Sequence, residues 1–175
     1  MNIKNLSIII LAGNEEQMIS DCLKSCDWVD EIILVAANST DNTVNIAKKI
    51  IQSIKIIKTT DEYNKNFSKW RNLGYQNATK EWILYIDADE RITTSLKEEI
   101  INKINTINNP ISYYAIPRAN HYLAKRVKHG GYYPVYVKRL YCKNKFKGYK
   151  GILHEEPIVE GPLEHLNSDL LHYTH

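Results

Sequence analysis

Residues 82–90 read W-I-L-Y-I-D-A-D-E, an apolar run that stops on three carboxylates. Its β-branched and aromatic residues describe one buried strand. If that strand lies in a parallel sheet, its carboxyl end is where an open α/β fold takes its ligands, and Asp87 and Asp89 emerge at the mouth of a site. Two hard carboxylates one residue apart suit a small divalent cation that keeps open positions for water and for phosphate oxygens. The pair therefore points to a phosphate-bearing substrate. The competing reading is an acidic turn before a helix capped from Thr93 to Ser95, and the flanking sequence has to decide.

Upstream, Leu6–Ala12 is short, Ile-rich and nearly all apolar, a second buried strand. Gly13 stands alone, so no G-x-G-x-x-G phosphate loop follows it. Asn14 with Gln17 three residues on resembles a capping box, which predicts a helix starting there, with Met18, Ile19, Cys22, Leu23 and Cys26 on its buried face. Glu31–Ala37 is the next strand, and Asn38-Ser39-Thr40-Asp41 supplies cap residues for a helix carrying Val44, Ala47 and Ile51. Ile54–Ile57 is a third short strand. Phe67, Trp70, Leu73, Gly74 and Ala78 then mark a helix leading into residues 82–90. This alternation predicts βαβ units, a Rossmann-like α/β fold with a mostly parallel sheet and helices on both faces.

Downstream the pattern changes. Leu96, Ile100, Ile104 and Ile107 mark a helix ended by Asn108-Asn109-Pro110, and Tyr113–Pro117 and Tyr132–Tyr141 read as strands. One domain of 175 residues is expected, with residues 1–109 as a nucleotide-type half and 110–175 as a strand and loop half. With 43% hydrophobic and 25% charged residues the composition is that of a globular protein without an apolar span. No secretion signal is read at the N-terminus, and the cytoplasm is expected. The three cysteines are too few for a disulfide framework. Charge is segmented: Arg118–Lys150 holds ten Lys or Arg and no acid, whereas Gly151–His175 holds five acids and no Lys or Arg. Such a run is commonly a solvated face. It also fits an anionic acceptor or membrane surface, or, because tyrosines such as Tyr122, Tyr132, Tyr133 and Tyr136 interleave with it, a nucleic acid.

Taken in order, I-I-L-A-G-N-E-E, D-E-I-I-L-V-x-x-x-S-T-D-N-T, K-W-R-N-L-G, W-I-L-Y-I-D-A-D-E-R-I, R-L-Y and H-E-E resemble the family 2 glycosyltransferases of GT-A fold. The branch they are most similar to is that of the bacterial lipopolysaccharide core glucosyltransferases. The resemblance implies an inverting hexosyl transfer from a nucleotide-sugar donor, UDP-glucose-like, to an envelope glycan or glycolipid acceptor at the inner face of the cytoplasmic membrane. It implies a divalent metal, Mn or Mg, at Asp89, with His154 as a further ligand. Ala12, Asn14, Glu15, Asn38, Arg71, Asp87 and Ala88 fall at the donor, and Arg118 and Arg139 on the acceptor side. Glu155, with Glu156 in reserve, is the expected base, in the one acidic cluster that follows the basic segment.

One departure bears on the donor. Where the family commonly has Asp-x-Gly-Ser, this chain has Ala36-Ala37-Asn38-Ser39, so a carboxylate expected near the base and ribose is absent. No nucleic-acid partner is expected on this reading. The rival readings are a catalytically silent sugar-nucleotide binder and a basic nucleic-acid module.

Overall fold

The computed structural model of the chain describes residues 3–60, 66–122, 125–126, 133–152 and 154–174. Strand and helix alternate first: β1 (Ile3–Ala12), α1 (Ile19–Cys26), β2 (Val29–Ala37), α2 (Thr43–Ile50), β3 (Lys55–Thr59), α3 (Phe67–Asn77) and β4 (Trp82–Asp87). A short β5 (Glu90–Ile92) and α4 (Thr94–Ile104) come next. Strands make up the remainder: β6 (Tyr113–Tyr122), β7 (Lys125–Arg126), β8 (Val135–Cys142), β9 (Phe146–Lys150), β10 (Glu156–Val159), β11 (Leu163–His165) and β12 (Leu170–Thr174).

β3, β2, β1 and β4 lie side by side and parallel. Parallel neighbours need a long crossover, which here carries a helix each time. β1 has β2 on one side and β4 on the other, so the strand order reverses there, and the crevice at the carboxyl ends of β1 and β4 is the expected ligand site. Beyond β4 the sheet turns mixed: β8 is antiparallel to β4, β6 antiparallel to β8, β12 parallel to β6, and β5 antiparallel to β12. β5 belongs to residues 1–109 yet pairs with β12, so both sequence halves share one sheet. That pairing sets His172 opposite Glu90.

Alternation along the strands divides the core between the two faces. Ile8 and Ile10 of β1 pack with Leu34, Leu84 and Ile86 against Ile19, Cys22, Leu23 and Cys26 of α1 and Leu96, Ile100 and Ile104 of α4. On the other face Ile9, Leu11, Val35, Ala37 and Tyr85 meet Trp70 of α3 and the aromatic group Tyr141, Phe146 and Tyr149.

The capping-box expectation fails. α1 begins at Ile19, with no side-chain cap, because Asn14 is engaged elsewhere: its Oδ1 accepts from Thr40 N at 2.8 Å. Glu16 N donates to Asp41 Oδ2 at 3.0 Å, and Asn42 N to Glu16 Oε2 at 3.1 Å. The loops after β1 and β2 are laced together, and that outcompetes a local cap. Thr93 does cap α4, accepting from Leu96 N at 3.1 Å, so residues 87–90 are at once a pre-helical acidic turn and a cleft edge. The short strands β9–β12 and β5 carry too little periodicity to be read from sequence, and the strand expected from Tyr132 starts at Val135, Tyr132 lying outside the described residues.

Gly74 sets the height of α3 over the sheet. A Cβ there would lie 2.4 Å from Ile9 Cγ2, and Ile9 is fully buried. Gly74→Ala gains about 1 kcal/mol of helix propensity but overpacks a β-branched core residue at a cost of about 1–3 kcal/mol. A lower thermal midpoint is expected; a raised one would mean that α3 does not sit this close.

Candidate active site

A cleft of ≈ 540 Å³ opens at the carboxyl ends of β2, β1 and β4, lined by Leu11–Glu15, Ala37, Asn38, Phe67, Trp70, Asp87–Asp89 and His172. Of the residues expected at the donor, Ala12, Asn14, Glu15, Asn38, Asp87 and Ala88 line it. Arg71 does not; it is 5% exposed and lies behind Asp87. Ala36 is also absent from the lining. It shares the strand face of Ile32 and Leu34, whereas Ala37 shares that of Ile33 and Val35, under α3. Position 36, where the resemblance expects the carboxylate, therefore does not line the cleft; Ala37, the variable position of that motif, does.

Behind the cleft runs a chain of buried charges. Arg71 Nη2 donates to Asp87 Oδ1 at 3.1 Å, and Arg71 Nε to Glu155 Oε1 at 3.2 Å. Arg139 Nη2 donates to Asp87 Oδ2 and, at 2.8 Å, to Glu90 Oε1. Glu90 Oε2 in turn accepts from the Asp87 backbone N at 2.9 Å. The Arg71 guanidinium carbon lies 5.7 and 5.6 Å from the rings of Tyr85 and Tyr149, which meet each other edge-on beside it. Burial pushes the Asp87 carboxyl up, but Arg139 and Arg71 outweigh it and hold the group well below the usual carboxylate range. At Glu90 burial wins over Arg139, and the carboxyl stays above its ordinary value. Asp87 is thus ionised with both oxygens engaged.

Asp89 is the opposite case. Its Oδ1 is buried and has no hydrogen-bond partner, and its Oδ2 lies 3.3 Å from His172 Nε2. His172 Nδ1 is 2.8 Å from Asn120 Oδ1; with the amide oxygen as placed, Nδ1 carries the proton and the Nε2 lone pair faces Asp89. Two acceptors turned on each other need a positive charge between them, a proton on Nε2 or a cation. One carboxylate and one oriented imidazole suit a divalent ion that takes its other ligands from water and substrate. Among the described residues no group of three or more His, Cys, Asp or Glu surrounds one point, so no all-protein cage is seen there.

His154, expected as the further ligand, is exposed in the turn before β10; the imidazole at Asp89 belongs to His172. Only the pairing of β12 with β5 and β6 brings it there, and nothing in residue spacing signals that. Glu155 reaches Arg71, while Glu156 faces Lys150 Nζ at 3.7 Å across the β9–β10 pair and is largely exposed. Neighbours on an extended chain point opposite ways. Arg139, expected on the acceptor side, is 6% exposed and spent on Asp87 and Glu90, which corrects that expectation. Arg118 is partly exposed, 4.0 Å from Glu90. Most of the basic stretch between 123 and 132 lies outside the described residues. Of its tyrosines, Tyr133 donates to Asp169 Oδ1 at 2.7 Å and Tyr136 packs edge-on against His165.

Residues 7–160 match the family model described as Glycosyl transferase family 2. The SPbeta prophage-derived glycosyltransferase SunS of Bacillus subtilis is 30% identical over 153 residues, 85% of this chain and 34% of that protein. The chain thus spans about a third of the length of that relative. S. aureus TarS 1-349 in complex with UDP-GlcNAc superposes with a TM-score of 0.66 at 16% identity, over 100% of this chain and 59% of that one. Glucosyl-3-phosphoglycerate synthase from Mycobacterium tuberculosis, in complex with Mn2+, UDP and phosphoglyceric acid, gives 0.54 at 18% identity, over 79% and 56%. At such identities the likeness is one of fold, the α/β architecture of GT-A type.

The two aspartates are predicted to respond unequally to loss of charge. Asp87→Asn leaves Arg71 and Arg139 buried without their shared anion and is expected to cost about 3–5 kcal/mol. Asp89→Asn removes no protein hydrogen bond from Oδ1 and is expected to stay within about 1 kcal/mol of the parent. Denaturant titration of both variants checks this; equal losses would refute the division.

Proposed function

The chain belongs to glycosyltransferase family 2, and on that premise we propose that it transfers a hexose from a UDP-sugar to an acceptor hydroxyl, with inversion and with a divalent cation, manganese or magnesium, at Asp89 and His172. The observation that carries the reading is Asp89 on the edge of the cleft, its Oδ1 without a hydrogen-bond partner and its Oδ2 3.3 Å from His172 Nε2. The donor is argued from the cleft together with the UDP-GlcNAc and Mn2+–UDP complexes of the two fold neighbours. A cation bound at this edge supplies Lewis-acid stabilisation of charge on the departing diphosphate.

The chain's own residues supply the rest. Asp87, already neutralised by two guanidiniums, fixes the turn that presents Asp89 without adding free negative charge beside a diphosphate. Glu155, held by Arg71 Nε, takes the proton of the attacking hydroxyl. The acceptor oxygen bonds to the anomeric carbon as the bond from that carbon to the phosphate oxygen breaks, and the diphosphate leaves. We assign the acceptor to an anionic envelope glycan such as lipopolysaccharide core, met at the cytoplasmic membrane face, on the strength of the ten Lys or Arg between 118 and 150.

Calorimetry of UDP with manganese and with chelator tests the cation. Asp89→Asn and His172→Ala are each expected to lose the manganese-dependent part of the affinity, and equal affinity under both conditions in the parent would overturn the reading. For the base, Glu155→Gln keeps the volume but cannot accept the proton, so turnover is expected to fall about a hundredfold or more with UDP binding intact. Glu156→Gln serves as the control and is expected to transfer at near the parental rate. Loss at Glu156 with none at Glu155 would exchange their roles.

A further inference from the structure

The guanidinium of Arg91 is spent on backbone carbonyls. Nη1 donates to Ala88 O and to Glu90 O, each at 2.8 Å, and Nη2 donates to Met18 O at 2.8 Å. Residues 88 and 90 flank Asp89, whose own carbonyl accepts from Tyr173 N at 3.0 Å. Three consecutive carbonyls of the turn are thus engaged, two of them by one side chain. Tyr173 follows His172 in β12, and its ring lies 5.7 Å from the Arg91 guanidinium carbon. Met18 N in turn donates to Glu15 O at 3.0 Å, and Glu15 lines the cleft. Arg91 therefore joins the turn that carries Asp89, the strand that carries His172 and the loop that forms the cleft wall after β1.

Asp87 and Asp89 are held by opposite means. Asp87 is fixed through its carboxylate. Asp89 has one oxygen without a hydrogen-bond partner and the other 3.3 Å from His172 Nε2, so its place is set by the peptide groups around it. A carboxylate left open to a cation cannot be positioned by hydrogen bonds to its own oxygens; its backbone has to be held instead. The planar guanidinium fork reaches carbonyls in several fixed directions at once, which the point charge of a lysine cannot do. We infer that Arg91 is the positioning residue of the cation site: it locks the backbone of residues 88–90 against β12, so that Asp89 stays beside His172 with an oxygen to spare. This rests on the reading of Asp89 and His172 as cation ligands and names the residue that sets their geometry. Arg91 acts through these two residues.

Calorimetry tests the assignment on the parent and on Arg91→Lys, which keeps the charge and loses the fork. Manganese is titrated at saturating UDP, and UDP is titrated in chelator. Removing a group that orients metal ligands lowers metal affinity by roughly 10- to 100-fold. The manganese affinity of Arg91→Lys is therefore expected to fall by about tenfold or more, with UDP affinity in chelator kept within about twofold. Parental manganese affinity in Arg91→Lys would overturn the assignment and leave the cation reading standing. Losses of similar size with manganese and in chelator would make Arg91 a staple of the fold alone, which also overturns it. A parent whose UDP binding is indifferent to manganese would overturn the cation reading itself, and the assignment with it. Should Arg91→Lys fail to fold, Tyr173→Leu decides: it takes the ring from the guanidinium and leaves the backbone N–H to Asp89 O in place. Manganese affinity is then expected to weaken by about two- to fivefold, the worth of an exposed cation–π contact, and parental affinity would overturn the assignment equally.

Discussion

Asp87, held between the guanidiniums of Arg71 and Arg139, is the interaction on which the site depends. It joins α3, β4 and β8 at one carboxylate, and through Arg71 Nε it also draws in Glu155, 84 residues away from Arg71. Burying so many charges is costly, at several kcal/mol per ion in real proteins. Here the geometry meets the cost, because Glu90 completes the Arg139 contact and binds the Asp87 backbone N as well. Remove any member and a buried charge is left facing its neighbour alone. The value of the cluster lies less in net stability than in fixing where the following turn stands.

That turn separates two carboxylates that look equivalent in sequence. Asp87 is consumed; Asp89, two residues on, has an orphaned oxygen and a histidine ring nitrogen beside it. On the proposed reading a cation would meet one carboxylate and not two, and the coordination left to substrate and water would couple its binding to that of the diphosphate.

The βα half was legible in sequence because each of its strands is a short apolar run and each helix has one apolar stripe. The D-A-D-E turn was legible as the edge of a cleft because it ends a buried strand of the parallel sheet. His172 was not, since its meaning comes from β12 lying between β5 and β6, and a pairing between distant strands leaves no local periodicity. Arg139 misled because a cation in a basic stretch reads as exposed, whereas its partners Asp87 and Glu90 come from 52 and 49 residues away. Asn14 misled for the converse reason: a local cap reads well in sequence, but its Oδ1 accepts from the backbone of the loop after β2.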